Sequence, residues 1–221
     1  MTASVPGRVA PLAPPEPRRT RHESKHHAIP RVAFQGELGA YGDEAIARHW
    51  SGAATAVPMR SFDDVVDAVI GGEAESGVLP CWNSVVGAVH DGRRALERAR
   101  EQGLRAAGEI EVPVHHQLLA NPGTTLDDVI VVASHPVALA QCRRFLSAHP
   151  LMMTCPVYDT AGAARDLART GVPGHAAIAS RAAGERYGLV VLAADIQDVA
   201  HNVTRFSVIA RDAQGRERGR W

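Results

Sequence analysis

Arg31-Val32-Ala33-Phe34-Gln35-Gly36-Glu37-Leu38-Gly39-Ala40-Tyr41-Gly42-Asp43 decides the fold class. Val32-Ala33-Phe34 is a short apolar run, Gln35 to Gly39 is a turn, and a helical pattern follows from Asp43 to Trp50. Strand, glycine turn and helix in that order open an α/β unit. Downstream, Ser61-Phe62-Asp63-Asp64 is a capping box: Ser61 accepts from the amide three residues on, and the acids suit a helix N-terminus. Val65, Val66, Val69 and Ile70 form the apolar stripe of that helix, and Gly71-Gly72 ends it. Gly77 to Pro80 is a short buried strand, and a helix is expected from about Val85 to Gln102. Asn83 and Ser84 then stand where helix caps stand.

The pattern repeats after residue 108. Val112 to Leu119 is extended, Val129 to Ala133 is a strand, and Pro136 opens a helix to about Ala148 with Ser134 as a candidate cap. Thr160 to Thr170 and Arg181 to Tyr187 are helices; Ala176 to Ala179, Leu189 to Leu192 and Thr204 to Ala210 are strands. Two α/β units of about 90 residues result.

Upstream of Arg31 the composition changes. Six of the 14 prolines and five positive charges fall in residues 1–30, without apolar periodicity. A disordered tail is expected there, and a frayed end over 215–221. Across all 221 residues, Lys+Arg and Asp+Glu both count 24, which speaks against a dedicated nucleic-acid binder. No apolar run spans a bilayer and no signal peptide is evident, so no membrane partner is expected. Cys81, Cys142 and Cys155 form no CxxC pair; reduced thiols in a cytoplasmic protein are expected. His115 and His116 are neighbours and face opposite sides of an extended chain, so no metal site is expected. The glycine turn at 36–42 sits where anions bind at helix N-termini, but its spacing is not that of a nucleotide loop.

The ordered blocks Phe34-x-Gly36-x-x-Gly39-x-Tyr41, Ser61-Phe62, Pro80-x-x-Asn83-Ser84, Gly108-Glu109, Pro113-Val114-x-His116-x-Leu118-Leu119, Ser134-His135-Pro136 through Gln141-Cys142, Thr160-Ala161-x-Ala163-Ala164, Ala176 to Ser180 and Asn202-x-Thr204-Arg205-Phe206 resemble the catalytic domain of prephenate dehydratase. Its close relative is arogenate dehydratase. The resemblance covers residues 31 to 211 and implies two α/β lobes with a central cleft, like a type II periplasmic binding protein, with the chain crossing twice. It implies lobe one at 31–112 plus 203–214 and lobe two at 113–202.

The implied reaction removes water and CO2 from prephenate to give phenylpyruvate in phenylalanine biosynthesis, with no cofactor and no metal. The catalytic residues it implies are Thr204 as donor to the leaving hydroxyl, Arg205 for the substrate's charge, Asn83 and Ser84. Ser134, Gln141, His116, Phe206, Gly39, Tyr41, Thr160 and Ala161 are implied to bind substrate. A homodimer or higher homo-oligomer is expected. Arogenate as substrate, or a catalytically weak binding paralogue in secondary metabolism, are the alternatives. The Thr-Arg-Phe stretch speaks against a nonaromatising decarboxylase of the same fold. Three implied cleft positions depart from the family: Trp82 replaces a glutamate, and Ala40 and Gly42 replace hydroxyl residues. The chain ends without the C-terminal ACT domain, so phenylalanine feedback by that route is not expected.

Overall fold

The computed structural model describes Met1 and residues 29–212; the expectations for the N-terminal tail and for residues 213–221 lie outside the described residues. The first unit runs β1 (Arg31–Gln35), α1 (Tyr41–His49), β2 (Thr55–Met59), α2 (Phe62–Gly71), β3 (Ser76–Asn83), β4 (Gly87–Ala88), α3 (His90–Glu101) and β5 (Leu104–Pro113). The second runs β6 (Gln117–Ala120), β7 (Val131–Ser134), α4 (Pro136–Gln141), α5 (Arg143–Ala148), β8 (Met153–Pro156), α6 (Thr160–Thr170), β9 (His175–Ala179), α7 (Arg181–Tyr187) and β10 (Val190–Ala193). The last strand, β11 (Val203–Arg211), returns to the first sheet.

Sheet one has the order β2-β1-β3-β11-β5, with β4 paired to β3; sheet two has the order β10-β6-β9-β7-β8. Strands β1, β2 and β3 are parallel, and β11 inserts antiparallel between β3 and β5. The chain crosses from one sheet to the other over residues 114–116 and back over 194–202. The fold is therefore two α/β lobes joined by two connecting segments. Val32, Ala33 and Phe34 are fully buried because helices cover both faces of a parallel strand. One apolar cluster runs through both lobes, joining Phe34, Val112 and Phe206 to Leu119, Ala161 and Ala183.

The capping box at Ser61 forms with Asp64, and Gly72 ends α2 in the left-handed conformation at φ 79°. Two expected helices differ from their sequence reading. Helix α3 starts at His90 rather than Val85. Asn83 Oδ1 accepts from the amides of Val85 and Val86 at 2.9 and 3.1 Å, which makes a turn, and β4 then folds back on β3. The β-branched Val85-Val86 pair and Gly87 at φ 79° suit this hairpin better than a helix. Asn83 thus ends a strand and caps no helix. The helix expected over 136–148 is broken at Cys142. The second crossover competes for its backbone: Asp198 N donates to the Gln141 carbonyl at 2.6 Å, and Asp198 Oδ1 accepts from Arg144 N at 2.9 Å. His135, not Ser134, caps α4, with Nδ1 accepting from Val137 N. Among the described residues no helix is long and apolar enough to cross a membrane.

Candidate active site

The glycine turn after β1 is where the lobes touch. A Cβ on Gly39 (φ 92°) would sit 2.8 Å from Ala183 Cα, and one on Gly36 (φ 113°) 2.9 Å from Asp159 Oδ1. Only glycine permits that approach. The amides of the turn already have protein partners: Glu37 N donates to Asp159 Oδ2 and Gly39 N to Asp43 Oδ2, at 3.3 and 2.8 Å. The anion received here is thus the carboxylate of Asp159 from lobe two. Across the same contact Ser180 Oγ donates to the Gly39 carbonyl and Tyr187 Oη to that of Leu38.

Behind this contact, between the lobes, lies a cavity of about 590 Å³. Lobe one and β11 contribute Gln35, Tyr41, Phe62, Asn83 and Thr204; the facing wall includes His116, His135, Gln141, Asp159 and Thr160. A smaller recess of about 170 Å³ deepens it towards Phe34, Ala40, Gly42 and Phe206. The ionisable lining groups among the described residues are His90, Asp91, His116, His135, Asp159 and the phenols of Tyr41 and Tyr158; no arginine or lysine lines it.

A chain of hydrogen bonds runs along one wall. Asn83 Nδ2 donates to Thr204 Oγ1 at 2.9 Å and to Asn202 Oδ1 at 2.8 Å. Asn202 Nδ2 donates to Gln141 Oε1 at 3.1 Å, which lies 2.9 Å from His116 Nε2. Tyr41 Oη lies 3.0 Å from both His116 Nδ1 and the His115 carbonyl oxygen. Asn83, Asn202, Gln141 and His116 are all buried. Since Thr204 Oγ1 accepts from Asn83, its own proton is free to point into the cavity.

The structure brings Thr204, Asn83, Gln141, His116, Tyr41 and Thr160 to the cavity, and Phe206 to its recess. Five of the expected residues are elsewhere. Arg205 follows Thr204 in a strand and faces the opposite side; its guanidinium is 3.2 Å from Glu111 and lies 5.5 Å over the Trp82 ring. Trp82, 39% exposed, is on that outer face too, so the indole takes no room in the cleft. Ser84 Oγ donates to the His201 carbonyl and accepts from Val203 N, tying β3 to the returning crossover. Ser134 is fully buried and gives its hydroxyl to the Ile178 carbonyl at 2.6 Å. Ala161 lies in the core beneath Thr160, and the Gly39 amide is taken by Asp43. Asn202, Asp159 and His135 are cavity or network residues that the residue-by-residue reading passes over. Their signal is polar side chains beside motif positions; Asn202 opens Asn-x-Thr-Arg-Phe itself.

Burial pushes the His116 imidazole below its ordinary value of 6.5, partly offset by its bond to Gln141. Burial likewise raises the Asp159 carboxyl and, well above its usual range, the Tyr41 phenol. Because the folded protein holds His116 neutral where the unfolded chain protonates, its contribution to stability is complete above about pH 6.5 and is lost as pH falls from there towards the lowered folded-state value. Thermal melts between about pH 7.5 and 5.5 should therefore show the wild-type advantage over His116→Gln narrowing towards acid. A constant difference would remove His116 as the source.

Two α/β lobes enclose a cleft lined by neutral donors, imidazoles and carboxylates, a size and lining that suit a small polar molecule. The chain belongs to the prephenate dehydratase family, whose model it matches over residues 32–214. It is 41% identical over 182 residues to arogenate dehydratase/prephenate dehydratase 2 of Arabidopsis thaliana, covering 82% of this chain and 46% of that one. Among solved structures it resembles the prephenate dehydratase of Arthrobacter aurescens in complex with L-Phe (32% identity, TM-score 0.75, 83% of this chain and 61% of that one). It also resembles a quorum-quenching acylase, GqqA (37% identity, TM-score 0.72, 82% and 64%). The chain spans about half the length of the curated relatives it matches.

Proposed function

We propose that this chain catalyses the decarboxylating dehydration of prephenate to phenylpyruvate. The observation that carries the reading is the Thr204 hydroxyl, held as an acceptor by Asn83 and open as a donor to the cleft. The C1–carboxylate bond breaks to release CO2, its electron pair enters the ring, and the C4–oxygen bond breaks as the ring becomes aromatic. The departing hydroxide takes its proton from Thr204 Oγ1 and leaves as water, and solvent returns a proton to Thr204 as the products leave. Thr204 donates to that oxygen, and the Asn83 N–H stabilises the negative charge that grows on Thr204 Oγ1 as it does so. Gln141 Nε2, which has no protein partner among the described residues, donates to the substrate from the other wall.

A second reading has its own support. Asp91 and Asp159 put carboxylates on the cavity while no lysine or arginine lines it among the described residues. That lining suits the ammonium of arogenate better than the neutral ketone that prephenate carries in its place. Steady-state kinetics with both substrates decide: a higher kcat/KM for arogenate supports the second reading, and turnover of neither contradicts both.

Arg205 has no substrate role in this account. Arg205→Gln should leave KM within about threefold of wild type, the scale of one exposed ion pair. A tenfold rise in KM would return the guanidinium to the substrate.

A further inference from the structure

The hydrogen-bond chain that crosses the lobes has a direction, and one end of it cannot turn over. The backbone amides of Val85 and Val86 both donate to Asn83 Oδ1. This orients the Asn83 side chain, so Nδ2 must be the donor to Thr204 and to Asn202 Oδ1. Asn202, with its oxygen committed, offers Nδ2 to Gln141 Oε1. Gln141 Oε1 takes its second bond from His116, whose proton must then sit on Nε2. The imidazole being neutral, Nδ1 is bare and accepts from the Tyr41 hydroxyl, which in this tautomer turns to it rather than to the equally close His115 carbonyl. Gln141 Nε2 is left without a protein partner among the described residues, on a side chain that lines the cavity.

We infer that Asn202, 2% exposed at the second crossover, is a positioning residue that carries the orientation fixed at Asn83 on lobe one to Gln141 and His116 on lobe two, so that both walls present donors to the substrate. For its kinetic readout the inference rests on the proposed dehydratase activity; for its spectroscopic readout it does not.

Asn202→Asp tests it. The introduced carboxylate still accepts from Asn83 but meets Gln141 Oε1 with a lone pair. The Gln141 amide turns over, gives Nε2 to the carboxylate and to His116 Nε2, and aims its oxygen at the substrate. The His116 proton moves to Nδ1, where Tyr41 Oη accepts it and itself donates to the His115 carbonyl. Every bond is satisfied in reverse, so the variant is expected to fold. Besides His116, the charged or titratable groups around position 202 are Arg143, Asp198 and the neighbouring His201.

Nitrogen-15 spectra of the histidine rings, with His116 assigned by its loss in His116→Gln, should show Nε2–H in the wild type and Nδ1–H in Asn202→Asp. At pH 8 the variant's kcat/KM should fall about 10²-fold, the effect of one lost hydrogen bond to a charged substrate. Its ratio to wild type should rise as pH is lowered and the introduced carboxyl regains a proton to donate. Gln141→Glu should show the same fall at pH 8 while keeping the His116 proton on Nε2. Nδ1–H in the wild type, Nε2–H in Asn202→Asp, or a variant ratio that is flat with pH overturns the inference. If Asn202→Asp does not fold, the wild-type tautomer and Gln141→Glu still decide. If the wild type turns over neither substrate, the proposed function fails and the tautomer comparison still decides the role of Asn202.

Discussion

Thr204→Val is expected to lower kcat by about 10²-fold or more while KM stays within about threefold. Valine keeps the β-branched shape that suits the start of β11, and its methyl replaces the hydroxyl with little change in volume. What is lost is a donor whose work grows as hydroxide leaves, so the ground-state complex is little affected and the transition state is. The variant also leaves one Asn83 N–H without its acceptor, although Asn202 Oδ1 remains to hold the amide in place. A stability loss of about 1 kcal/mol is expected from that orphaned donor. Kinetics on the folded variant separate the two effects: near wild-type kcat would take Thr204 out of the chemistry, and an equal rise in KM would make it a binding group.

Gly92→Ala should be the most damaging added methyl among the described glycines. Gly92 lies in the first turn of α3, and a Cβ there would sit 1.8 Å from the Pro80 carbonyl oxygen on β3. Neither atom is at the end of a flexible side chain, so the helix must lift off the sheet. A cost of about 3 kcal/mol, the upper end of overpacking effects, lowers Tm by about 6–12 °C in a domain of this size. Lifting α3 also moves His90 and Asp91, which line the cleft, so activity should fall with it. Gly71→Ala is the matched control. It lies at the end of α2 with nothing within 4 Å of its Cβ and should be neutral or slightly stabilising. Equal melting temperatures for the two variants would mean that α3 does not lie on β3 as described.

The alternation of apolar runs with amphipathic segments makes the two lobes legible, because a buried parallel strand and a capped helix are both local patterns. Ser61 and Asp64 specify their capping box within four residues. The hairpin at 85–88 is less legible: a helical stripe and a β-turn share the same apolar residues there, and what decides is the Asn83 side chain bonding to two backbone amides. The break at Cys142 is set by Asp198, 56 residues away, and no local pattern holds it.

The site divides in the same way. The Thr-Arg-Phe stretch points to a functional strand, but the pleat assigns alternate residues to opposite faces, which separates Thr204 from Arg205. A serine hydroxyl such as Ser84 or Ser134 reads as a substrate contact until its partner is known, and both partners here are backbone groups distant in sequence. Asn202 and Asp159 gain their meaning only from the other lobe. Asn202 links Asn83 to Gln141, and Asp159 receives the Glu37 amide while it caps α6 through Gly162 N.

In the proposed reaction one cleft couples loss of CO2 to loss of hydroxide. The most direct measurement is the yield of CO2 and of aromatic product in the same reaction, with purified wild-type protein and prephenate or arogenate as substrate. One CO2 per molecule of phenylpyruvate or phenylalanine is the predicted result, with both falling together in Thr204→Val. Release of CO2 without an aromatic product, or binding of either compound with no turnover, would contradict it.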